Sequence, residues 1–379
     1  QRDEIRTSSQ FSLVSHSFET RHNHFNPLGR PLTFLYERHR ANSVAKFLDI
    51  PLRKMVIPEK RPLLSDEIIT RLEIGVMSSI ASYLRVNSYE QLDAKWKNIF
   101  ALLMKNSEKI YHYFFNELQA YDRILIYNGR FAEDAAARLA AEMTGTSYKV
   151  YDFKKAGSYY EFIDVPLHST LENCRRAKNY YVEDKAKANK VTEEFISSKI
   201  KGIATYEKSY TSKQVTGQLF RHMQTNKEII AVYPSSDDEY RFLGKDWGVE
   251  AVESQVEEIK KMASTLASNF QIILRLHPNM IDMQKEQYNE YLALDNFKNI
   301  SVIKADSLVS TYELLNEAHC IVGFCSTVLA EANFLRKTTI GIGGNPYYYL
   351  PIANYVICGL AASLMINNGT AKLKSKTAS

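Results

Sequence analysis

A histidine and a proline follow a short apolar segment in the middle of the chain, in a position that suits anion binding. The segment runs from Ile272 to Leu276 and has the length and composition of a buried strand. The residue before a proline favours an extended backbone, so the strand should end at His277 and project its imidazole beside Pro278. Arg275 lies on the same face of the strand and adds a planar set of N–H donors. The pair forms a predicted site for a phosphate group.

A second candidate anion site lies in the segment GFCSTVLAEA, which starts at Gly323. Ser326 or Thr327 should begin a helix, and the first backbone N–H groups of a helix can bind a phosphate. Glu331, one helical turn further along, can accept a hydrogen bond from a ribose hydroxyl. The same residues also suit an ordinary helix cap and a solvated glutamate, and the sequence leaves both interpretations open.

Hydroxyls and carboxylates follow another apolar segment, EIIAVYP, which ends at Pro234. Ser235 and Ser236 can donate hydrogen bonds to a nucleotide sugar, and Asp237 and Asp238 come directly after them. A carboxylate beside an anomeric carbon can act as nucleophile or base, with a second carboxyl group as proton donor. A metal clamp would need the aspartates to be separated by one residue, so we predict no metal here. We expect at least one of these acidic residues to be only a helix cap or a solvated turn.

The elements that must position these residues alternate regularly in the second half of the chain. Apolar strand segments alternate with amphipathic helices from Glu228 to Gly343. Such an alternation predicts a doubly wound α/β sheet, in which ligands bind beyond the carboxyl ends of the strands. The polar residues described above follow these predicted strand ends, so we expect them to meet at one edge of the sheet.

The first half of the chain contains one β-turn-α-β unit, with strands at 124–127 and 148–153 and a helix at 133–143. The turn carries Asn128, Gly129 and Arg130, which we assign to an acceptor-side or cleft surface. Asp152 ends the second strand. The predicted fold is therefore α/β with two Rossmann-like lobes and a cleft between them.

Length and composition agree with two domains, because 379 residues of which 45% are hydrophobic exceed the size of one core. We predict an N-terminal acceptor-side lobe over residues 1–205, a C-terminal donor lobe over 206–345, and a closing segment with a basic tail over 346–379. The segment from Leu350 to Ile366 is apolar but carries Asn354, which favours a core segment over a membrane span.

Charge and cysteine content narrow the classes of partner. The net charge of +5 is spread along the chain, which argues against nucleic acid but permits an anionic substrate or a membrane surface. The 4 cysteines show no metal-binding or disulfide spacing, which favours a cytoplasmic protein. This expectation includes a peripheral protein at the inner face of the inner membrane. The basic ending NGTAKLKSKTAS is typical of a flexible tail and agrees with a piece of a longer multi-domain chain.

The ordered set of motifs over residues 120–345 resembles the bacterial capsule and surface-polysaccharide glycosyltransferases of GT-B type. The matching segments are YNGR, YPSSDDEY, QIILRLHPNM and SLVSTYELLNEAHCIVGFCSTVLAEANFLRKTTI. They look similar to the retaining β-Kdo transferases of capsule and lipopolysaccharide synthesis, which use a CMP-activated sugar. The His-Pro and Ser motifs also resemble those of bacterial sialyl- and polysialyltransferases.

The resemblance implies roles for particular residues. His277 and Ser326 or Thr327 would bind the phosphate and cytidine side of CMP, and Asp237 or Asp238 would face the donor sugar as nucleophile of a retaining transferase. The partner acid/base would come from the first lobe, and the candidates are, in order of preference, Glu161 and Asp152. The family needs no cofactor beyond the CMP-sugar donor, and its acceptor is a glycan or a lipid-linked glycan of O-antigen or capsule.

Other functions stay open at the level of the sequence. A UDP-sugar epimerase and a transferase that uses a CDP-glycerol-type carrier are alternatives within the enzymes. A non-catalytic lobe that binds a nucleotide sugar within a larger polysaccharide synthase is the alternative outside them.

Overall fold

The structure is a computed structural model that describes residues 62–154, 159–165, 167–203, 211–224, 226–244 and 252–372. Within these ranges the side chains at 152–161 and at 239 are outside the description. The chain divides into two compact units. Unit 1 comprises residues 62–83, Ser88–Phe153 and Tyr159–Leu167, and unit 2 comprises Leu84–Asn87 and the chain from His168 onward.

Unit 1 contains the predicted β-turn-α-β unit. Its elements are α1 (Asp66–Leu84, whose last residue belongs to unit 2), α2 (Ala94–Glu117), β1 (Arg123–Tyr127), α3 (Ala132–Thr144), β2 (Ser147–Lys154) and β3 (Tyr159–Ile163). The strands form a sheet in the order β1-β2-β3, and β1 and β2 are parallel as predicted. Helix α3 ends at Gly145, whose left-handed backbone at φ 70° suits a residue without a side chain. The sequence missed β3, a short strand rich in tyrosine.

Unit 2 contains the alternating elements of the second half. They are α4 (Thr170–Glu183), α5 (Lys185–Ile200), β4 (Glu228–Tyr233), α6 (Asp237–Tyr240), α7 (Gln255–Thr265), β5 (Phe270–Arg275), α8 (Lys285–Ala293), β6 (Ile300–Ile303), α9 (Thr311–Glu317), β7 (Cys320–Gly323), α10 (Val328–Phe334), β8 (Thr338–Ile342), β9 (Asn354–Val356) and α11 (Gly359–Asn367). The strands form one 6-stranded sheet in the order β6-β5-β4-β7-β8-β9. Every neighbouring pair in this sheet is parallel.

Helices cover both faces of the sheet in unit 2. On one face, Ile230, Ile272 and Leu274 pack against α7, α8 and α11. On the other face, Ala231 and Ile273, which alternate with these residues along the strands, pack against α9 and α10. Strands buried on both faces must be apolar at nearly every position, which explains why their sequences lack the polar alternation of a half-exposed strand. The predicted α/β class with parallel sheets is confirmed.

Two features of the described chain differ from the sequence predictions. The polar stretch after residue 170 forms two helices that separate at Asp184, whereas we predicted one helix. Helix α8 was not predicted. The segment from Leu350 to Ile366 adds β9 and α11 to the core of unit 2, as expected of a closing segment. None of the helices in the described ranges combines the length and the apolar character needed to cross a lipid bilayer.

Gly359, the first residue of α11, lies against the backbone of α7. A methyl group built on this glycine would be 1.9 Å from the carbonyl oxygen of Glu258. Helix propensity alone predicts that Gly359→Ala stabilises a helix, but the clash requires the two helices to separate. We therefore expect Gly359→Ala to lower the free energy of unfolding by about 1–3 kcal/mol, measured by urea denaturation.

The neighbouring substitution Leu360→Ala provides the control, because Leu360 is 43% exposed. We expect it to change the free energy of unfolding by less than about 0.5 kcal/mol. Equal stability of the Gly359→Ala variant and the unmodified chain would show that the two helices do not pack this closely.

Candidate active site

The strand order of unit 2 reverses at β4. The chain moves from β4 outward through β5 to β6, and then returns to the other side of β4 to form β7, β8 and β9. In parallel sheets, ligands bind in the crevice beyond the carboxyl ends of the strands where the order reverses. In this chain that place is bounded by the segments after β4 and β7, with the segment after β5 beside them.

Asp238, in the segment after β4, is held as a structural carboxylate. Its side chain is only 1% exposed, and its Oδ2 accepts a hydrogen bond of 2.6 Å from Arg85 Nη1. Its other oxygen accepts a hydrogen bond from the Ser236 hydroxyl. An attack by this carboxylate on a substrate would have to break a buried ion pair, so Asp238 is better suited to a structural role.

Asp237, one residue earlier, is in a different environment although it belongs to the same short helix, α6. Its Oδ1 accepts a hydrogen bond from Gln255 Nε2, and its Oδ2 accepts one of 3.3 Å from Asn87 Nδ2. Both partners are neutral amides. The pKa of Asp237 is raised to about 7, mainly by burial; the charge of Arg241 opposes the shift and that of Asp238 adds to it. Asp237 can therefore gain or lose a proton near neutral pH.

Gln255 fixes the segment after β4 from the first turn of α7. Its Oε1 accepts a hydrogen bond of 3.0 Å from the backbone N–H of Ser235, and its Nε2 donates to the carbonyl and hydroxyl oxygens of the same residue, each at 3.2 Å. The same amide nitrogen binds Asp237. One buried glutamine thus positions both the serine and the aspartate that the sequence assigned to the donor site.

His277, directly after β5, is a neutral imidazole with a defined tautomer. Its Nδ1 accepts a hydrogen bond of 3.1 Å from the backbone N–H of Asn279, so its proton is on Nε2. Pro278 begins a 3₁₀ turn here, and His277 caps that turn. Burial lowers the pKa of His277 to about 4, helped by the charges of Arg275 and Lys199. At neutral pH the side chain is an uncharged hydrogen-bond donor.

Arg275 differs from its predicted role. Its Nη1 donates a hydrogen bond of 2.5 Å to the carbonyl of Lys304, and its Nη2 donates one of 3.0 Å to the carbonyl of Ser307. The residue is 3% exposed. Both terminal nitrogens therefore fix the segment that follows β6, and the planar donor pair does not face the place where we expected a phosphate. The charge of Arg275 still contributes to the electrostatic potential around His277.

The segment after β7 contains an unusual backbone conformation beside the acidic residues. Cys325 has φ 46°, in the left-handed region that non-glycine residues seldom adopt. Its thiol donates to the carbonyl of Gly344 at 2.6 Å, and burial raises its pKa to about 12, with Asp237 as a second cause. The thiol is therefore unreactive, but the segment lies close enough to Asp237 for their charges to interact.

Ser326 and Thr327 follow Cys325 as predicted. The Ser326 hydroxyl accepts a hydrogen bond of 3.3 Å from the backbone N–H of Val328 and so forms a local turn. Thr327 precedes α10, whose length is only 7 residues. Such a short helix has a weak dipole, so its N-terminus alone gives little support for the predicted phosphate contact. The stronger argument for that contact is the position of the segment, directly after β7.

Glu331 is buried and is therefore not the solvated glutamate that was one of its two interpretations, while its contact with a ribose stays a prediction. It is 7% exposed, and its Oε2 accepts a hydrogen bond of 2.6 Å from the Tyr312 hydroxyl. Burial raises the pKa of Glu331, although the Tyr312 hydrogen bond and the charge of Lys199 act in the opposite direction. Glu331 connects α10 to α9 and has a structural role in this state of the protein.

Several buried polar atoms of unit 2 have no hydrogen-bond partner within the described ranges. They include the Tyr291 hydroxyl, Asn345 Nδ2 and Arg275 Nε. Arg275 ends β5, Asn345 follows β8, and Tyr291 is close enough to Asp237 for the carboxylate to influence its pKa. Unsatisfied buried donors are uncommon in folded proteins, so these three atoms are candidates for contact with a polar ligand.

The residues that we assigned to unit 1 are placed at the end of its first strand. Asn128 and Gly129 both have positive φ, at 50° and 82°, which makes the sharp turn after β1. Arg130 is 9% exposed, and its Nη2 donates a hydrogen bond of 2.8 Å to the Ser82 hydroxyl. Asp152 and Glu161 lie in strands, but their side chains fall outside the described residues, so their proposed acid/base role stays a prediction.

The sequence did not indicate the residues that support the aspartates. Arg85 and Asn87 follow α1 about 150 positions before the residues that they bind. Arg85 has a left-handed backbone, at φ 59°, and such strain in a non-glycine residue is often found at functional sites. No local pattern could reveal these contacts, because they form only when distant segments fold together.

No protein-family model matches the sequence, and no curated protein matches it. Among solved structures, the β-Kdo 2,4-transferase KpsC of Thermosulfurimonas dismutans is 11% identical, with a TM-score of 0.39 over 68% of this chain and 77% of that chain. The corresponding β-Kdo 2,7-transferase is 14% identical, with a TM-score of 0.38 over 62% and 70% of the two chains. UDP-GlcNAc 2-epimerase from Neisseria meningitidis is 12% identical, with a TM-score of 0.30 over 88% and 80%. Such low identities and TM-scores do not assign an activity to this chain.

The ion pair between Arg85 and Asp238 gives a direct test of the arrangement. Removing the cation in Arg85→Met leaves a buried carboxylate with one hydroxyl partner, so we expect the free energy of unfolding to fall by about 1–3 kcal/mol. Adding Asp238→Asn removes the unpaired charge and should restore part of that loss. Chemical denaturation of the single and double variants measures the coupling.

Arg175→Met is the matched control, because Arg175 forms an ion pair with Glu172 while 60% of its side chain is exposed. We expect a change below about 1 kcal/mol there. If the Arg85 and Arg175 variants lose the same amount, the pair at Asp238 is not buried as described.

Proposed function

We propose that the chain is a GT-B-like glycosyltransferase that moves a sugar from a CMP-activated donor to a glycan acceptor. The preferred donor is CMP-Kdo, and the product belongs to a surface polysaccharide, either lipopolysaccharide O-antigen or capsule. The sequence resemblance over residues 120–345 motivates the choice of CMP-Kdo. The single observation that carries the proposal is the position of Asp237, a carboxylate of raised pKa at the point where the strand order reverses.

The chemistry of the proposed transfer assigns Asp237 as the nucleophile. Its carboxylate oxygen forms a bond to the anomeric carbon while the bond from that carbon to the phosphate oxygen breaks, and CMP leaves with the electron pair. An acceptor hydroxyl then attacks the glycosyl ester, loses its proton to a general base and releases the carboxylate. This sequence retains the anomeric configuration. Inversion would instead require Asp237 to act as the base for the acceptor hydroxyl.

Asp237 is preferred over Asp238 because of their partners. The carboxylate of Asp238 is bound by a guanidinium and a hydroxyl, so its attack on a substrate would break a buried ion pair. Asp237 is held by neutral amide groups that orient it without neutralising it. Both oxygens of each carboxylate accept a hydrogen bond, but a neutral amide gives up a carboxylate oxygen to a substrate more easily than a guanidinium does, so Asp237 is the better placed nucleophile.

His277 supplies a donor for the phosphate side of the nucleotide. The imidazole is neutral with its proton on Nε2, so it can donate to a phosphate oxygen without carrying a charge into the site. The segment after β7 is the candidate for binding the remainder of the nucleotide, beyond the phosphate. β4 lies between β5, which precedes His277, and β7 in the sheet.

Binding of CMP is the first measurement, and isothermal titration calorimetry provides it. We expect CMP to bind the unmodified chain, and His277→Ala to weaken binding by about tenfold, the effect of losing one hydrogen bond to a charged group. His319→Ala is the matched control, because His319 precedes β7 at the opposite edge of the sheet and is 52% exposed. It should leave the affinity unchanged.

A panel of CMP, CDP and UDP separates the proposal from its alternatives. Preference for CMP supports the proposal, whereas preference for UDP or CDP would favour an epimerase or a CDP-carrier transferase. Binding of none of these nucleotides would remove the basis for a nucleotide-dependent enzyme.

The second measurement is the pH dependence of CMP release from CMP-Kdo. A nucleophilic Asp237 must be ionised, so the rate should rise with pH up to about 7 and then level off. Asp237→Asn should reduce the rate at least about 100-fold while CMP still binds. Asp122→Asn, at an exposed residue before β1, is the control for the loss of a carboxylate.

The raised pKa of Asp237 also predicts how the free energy of unfolding depends on pH. Because the pKa of Asp237 in the folded state is above that of an unfolded chain, the folded protein binds more protons between about pH 4 and pH 7. The contribution of Asp237 to stability should therefore fall as the pH rises through this range, and Asp237→Asn should remove that dependence. Full CMP release by the Asp237→Asn variant would instead show that Asp237 is not the nucleophile, whereas CMP binding without CMP release in the unmodified chain would favour the non-catalytic lobe.

A further inference from the structure

The junction between helices α4 and α5 carries a concentration of positive charge. Residues 175–191 contain six basic side chains and two acidic ones, an excess of +4, whereas the whole chain of 379 residues has a net charge of +5. The basic residues are Arg175, Arg176, Lys178, Lys185, Lys187 and Lys190. The net charge is therefore less evenly spread than we expected, and one short segment accounts for most of it.

The two helices are fixed to the rest of unit 2 near their outer ends. In α4, Cys174 is buried, and its thiol donates a hydrogen bond of 3.4 Å to the carbonyl of Pro346. Near the end of α5, Ile196 is buried, and the carbonyl of Lys199 accepts a hydrogen bond of 2.9 Å from the Thr211 hydroxyl. Every residue from 175 to 195 is exposed or partly exposed. The basic segment therefore lies on the surface and is not needed to fill a core.

Exposed apolar side chains lie among the basic ones. Tyr180 is 62% exposed, Val182 is 70% exposed and Val191 is 52% exposed. Residues four positions apart are neighbours on a helix, so Lys178 lies beside Val182 on α4, and Lys187 lies beside Val191 on α5. Each helix thus presents an aliphatic side chain next to an ammonium group. Single exposed apolar residues are common, but a group of them within a basic segment indicates an interaction surface.

Nearby acidic residues leave most of this positive charge uncompensated. Arg175 forms an ion pair with Glu172, and Asp184 caps α5 by accepting a hydrogen bond of 2.9 Å from the backbone N–H of Lys187. Further along α5, the basic segment ends before Glu193 and Glu194. Among the described residues, no ion pair involves three of the lysines, which are Lys178, Lys187 and Lys190. An exposed excess of positive charge favours an anionic partner.

We propose that this surface, formed by Lys178, Tyr180, Val182, Lys187, Lys190 and Val191, binds a membrane that contains anionic lipids. The ammonium groups attract lipid phosphates, and the tyrosine and valines can enter the boundary between headgroups and acyl chains. A nucleic acid would also attract the lysines, but its phosphate backbone has no apolar region for the valines. The inference goes beyond the proposed function and does not depend on it, because binding to lipid requires no nucleotide.

Cosedimentation of the full chain with lipid vesicles tests the proposal. Vesicles made from two parts phosphatidylcholine and one part phosphatidylglycerol should bind the chain, and vesicles of phosphatidylcholine alone should bind it at least about tenfold more weakly. Added salt should weaken binding to the mixed vesicles, because exposed charges are screened. Absence of binding to the mixed vesicles, or equal binding to both kinds, would overturn the proposal.

Two double variants separate the charged part of the surface from the apolar part. Lys187→Gln combined with Lys190→Gln should weaken binding to the mixed vesicles at least about tenfold, since each lysine near an anionic surface contributes about fivefold. Val182→Ser combined with Val191→Ser should weaken it at least about threefold through the loss of apolar burial. All four side chains are exposed, so the variants should fold, and a thermal melt of each one checks this.

Lys260→Gln combined with Lys261→Gln is the matched control. It removes the same charge from α7, where the two lysines pair with Glu257 and Glu258, each at 2.7 Å. We expect a change in vesicle binding of less than about twofold. An equal loss in this control and in the α5 lysine variant would show an effect of net charge alone and would overturn the location of the surface.

The remaining outcomes are also decisive. If the valine variant binds vesicles normally and duplex DNA displaces the unmodified chain from them, the surface binds nucleic acid and the lipid proposal is wrong. A chain that binds CMP but no vesicles keeps the proposed function and overturns this inference. A chain that binds mixed vesicles but no nucleotide supports this inference while the proposed function fails.

Discussion

A parallel sheet places the carboxyl ends of all its strands at one edge, and this constraint governs the candidate site in unit 2. Asp237, His277 and Ser326 are widely separated in the chain, yet each follows one of three adjacent strands, β4, β5 and β7. The helices between these strands pack on opposite faces of the sheet, α7 and α8 on one and α9 and α10 on the other. At such a reversal the segments after the two central strands are expected to diverge and to leave a place for a ligand between them. The polar residues lie there because the interior of the sheet is apolar and cannot satisfy them.

Burial then gives similar side chains different roles. Asp237 and Asp238 are adjacent, but Asp238 is bound by a guanidinium, whereas Asp237 is bound by neutral amides and has a pKa raised to about 7. The same reasoning applies to Arg275, which uses its terminal donors on backbone carbonyls and acts on the site only through its charge. In each case, the hydrogen-bond partners decide the role more than the residue type does.

The sequence predicted the strand ends well and the individual contacts poorly, for a physical reason. A buried parallel strand is a short apolar run, and its end is marked by proline, glycine or polar residues, so the positions of Asp237, His277 and Ser326 could be read locally. The direction of the Arg275 guanidinium depends on the segment after β6, and the burial of Glu331 depends on Tyr312 in another helix. Arg85 and Gln255 are ordinary polar residues of helices and loops until the chain folds. Such tertiary contacts leave no periodic pattern in a single sequence.

The charges at this edge of the sheet bear on which donor suits the site. A CMP-sugar carries one phosphodiester charge on its nucleotide, whereas a UDP-sugar or a CDP carrier has two linked phosphates. Diphosphate sites commonly gather several direct donors, such as an arginine fork or the N-terminus of a long helix. Here Arg275 is engaged by carbonyls and α10 has only 7 residues, so the donor that remains at the end of β5 is the neutral imidazole of His277. A neutral imidazole donor offers little charge to a diphosphate, so this feature supports the proposal of a nucleoside monophosphate donor over its two alternatives.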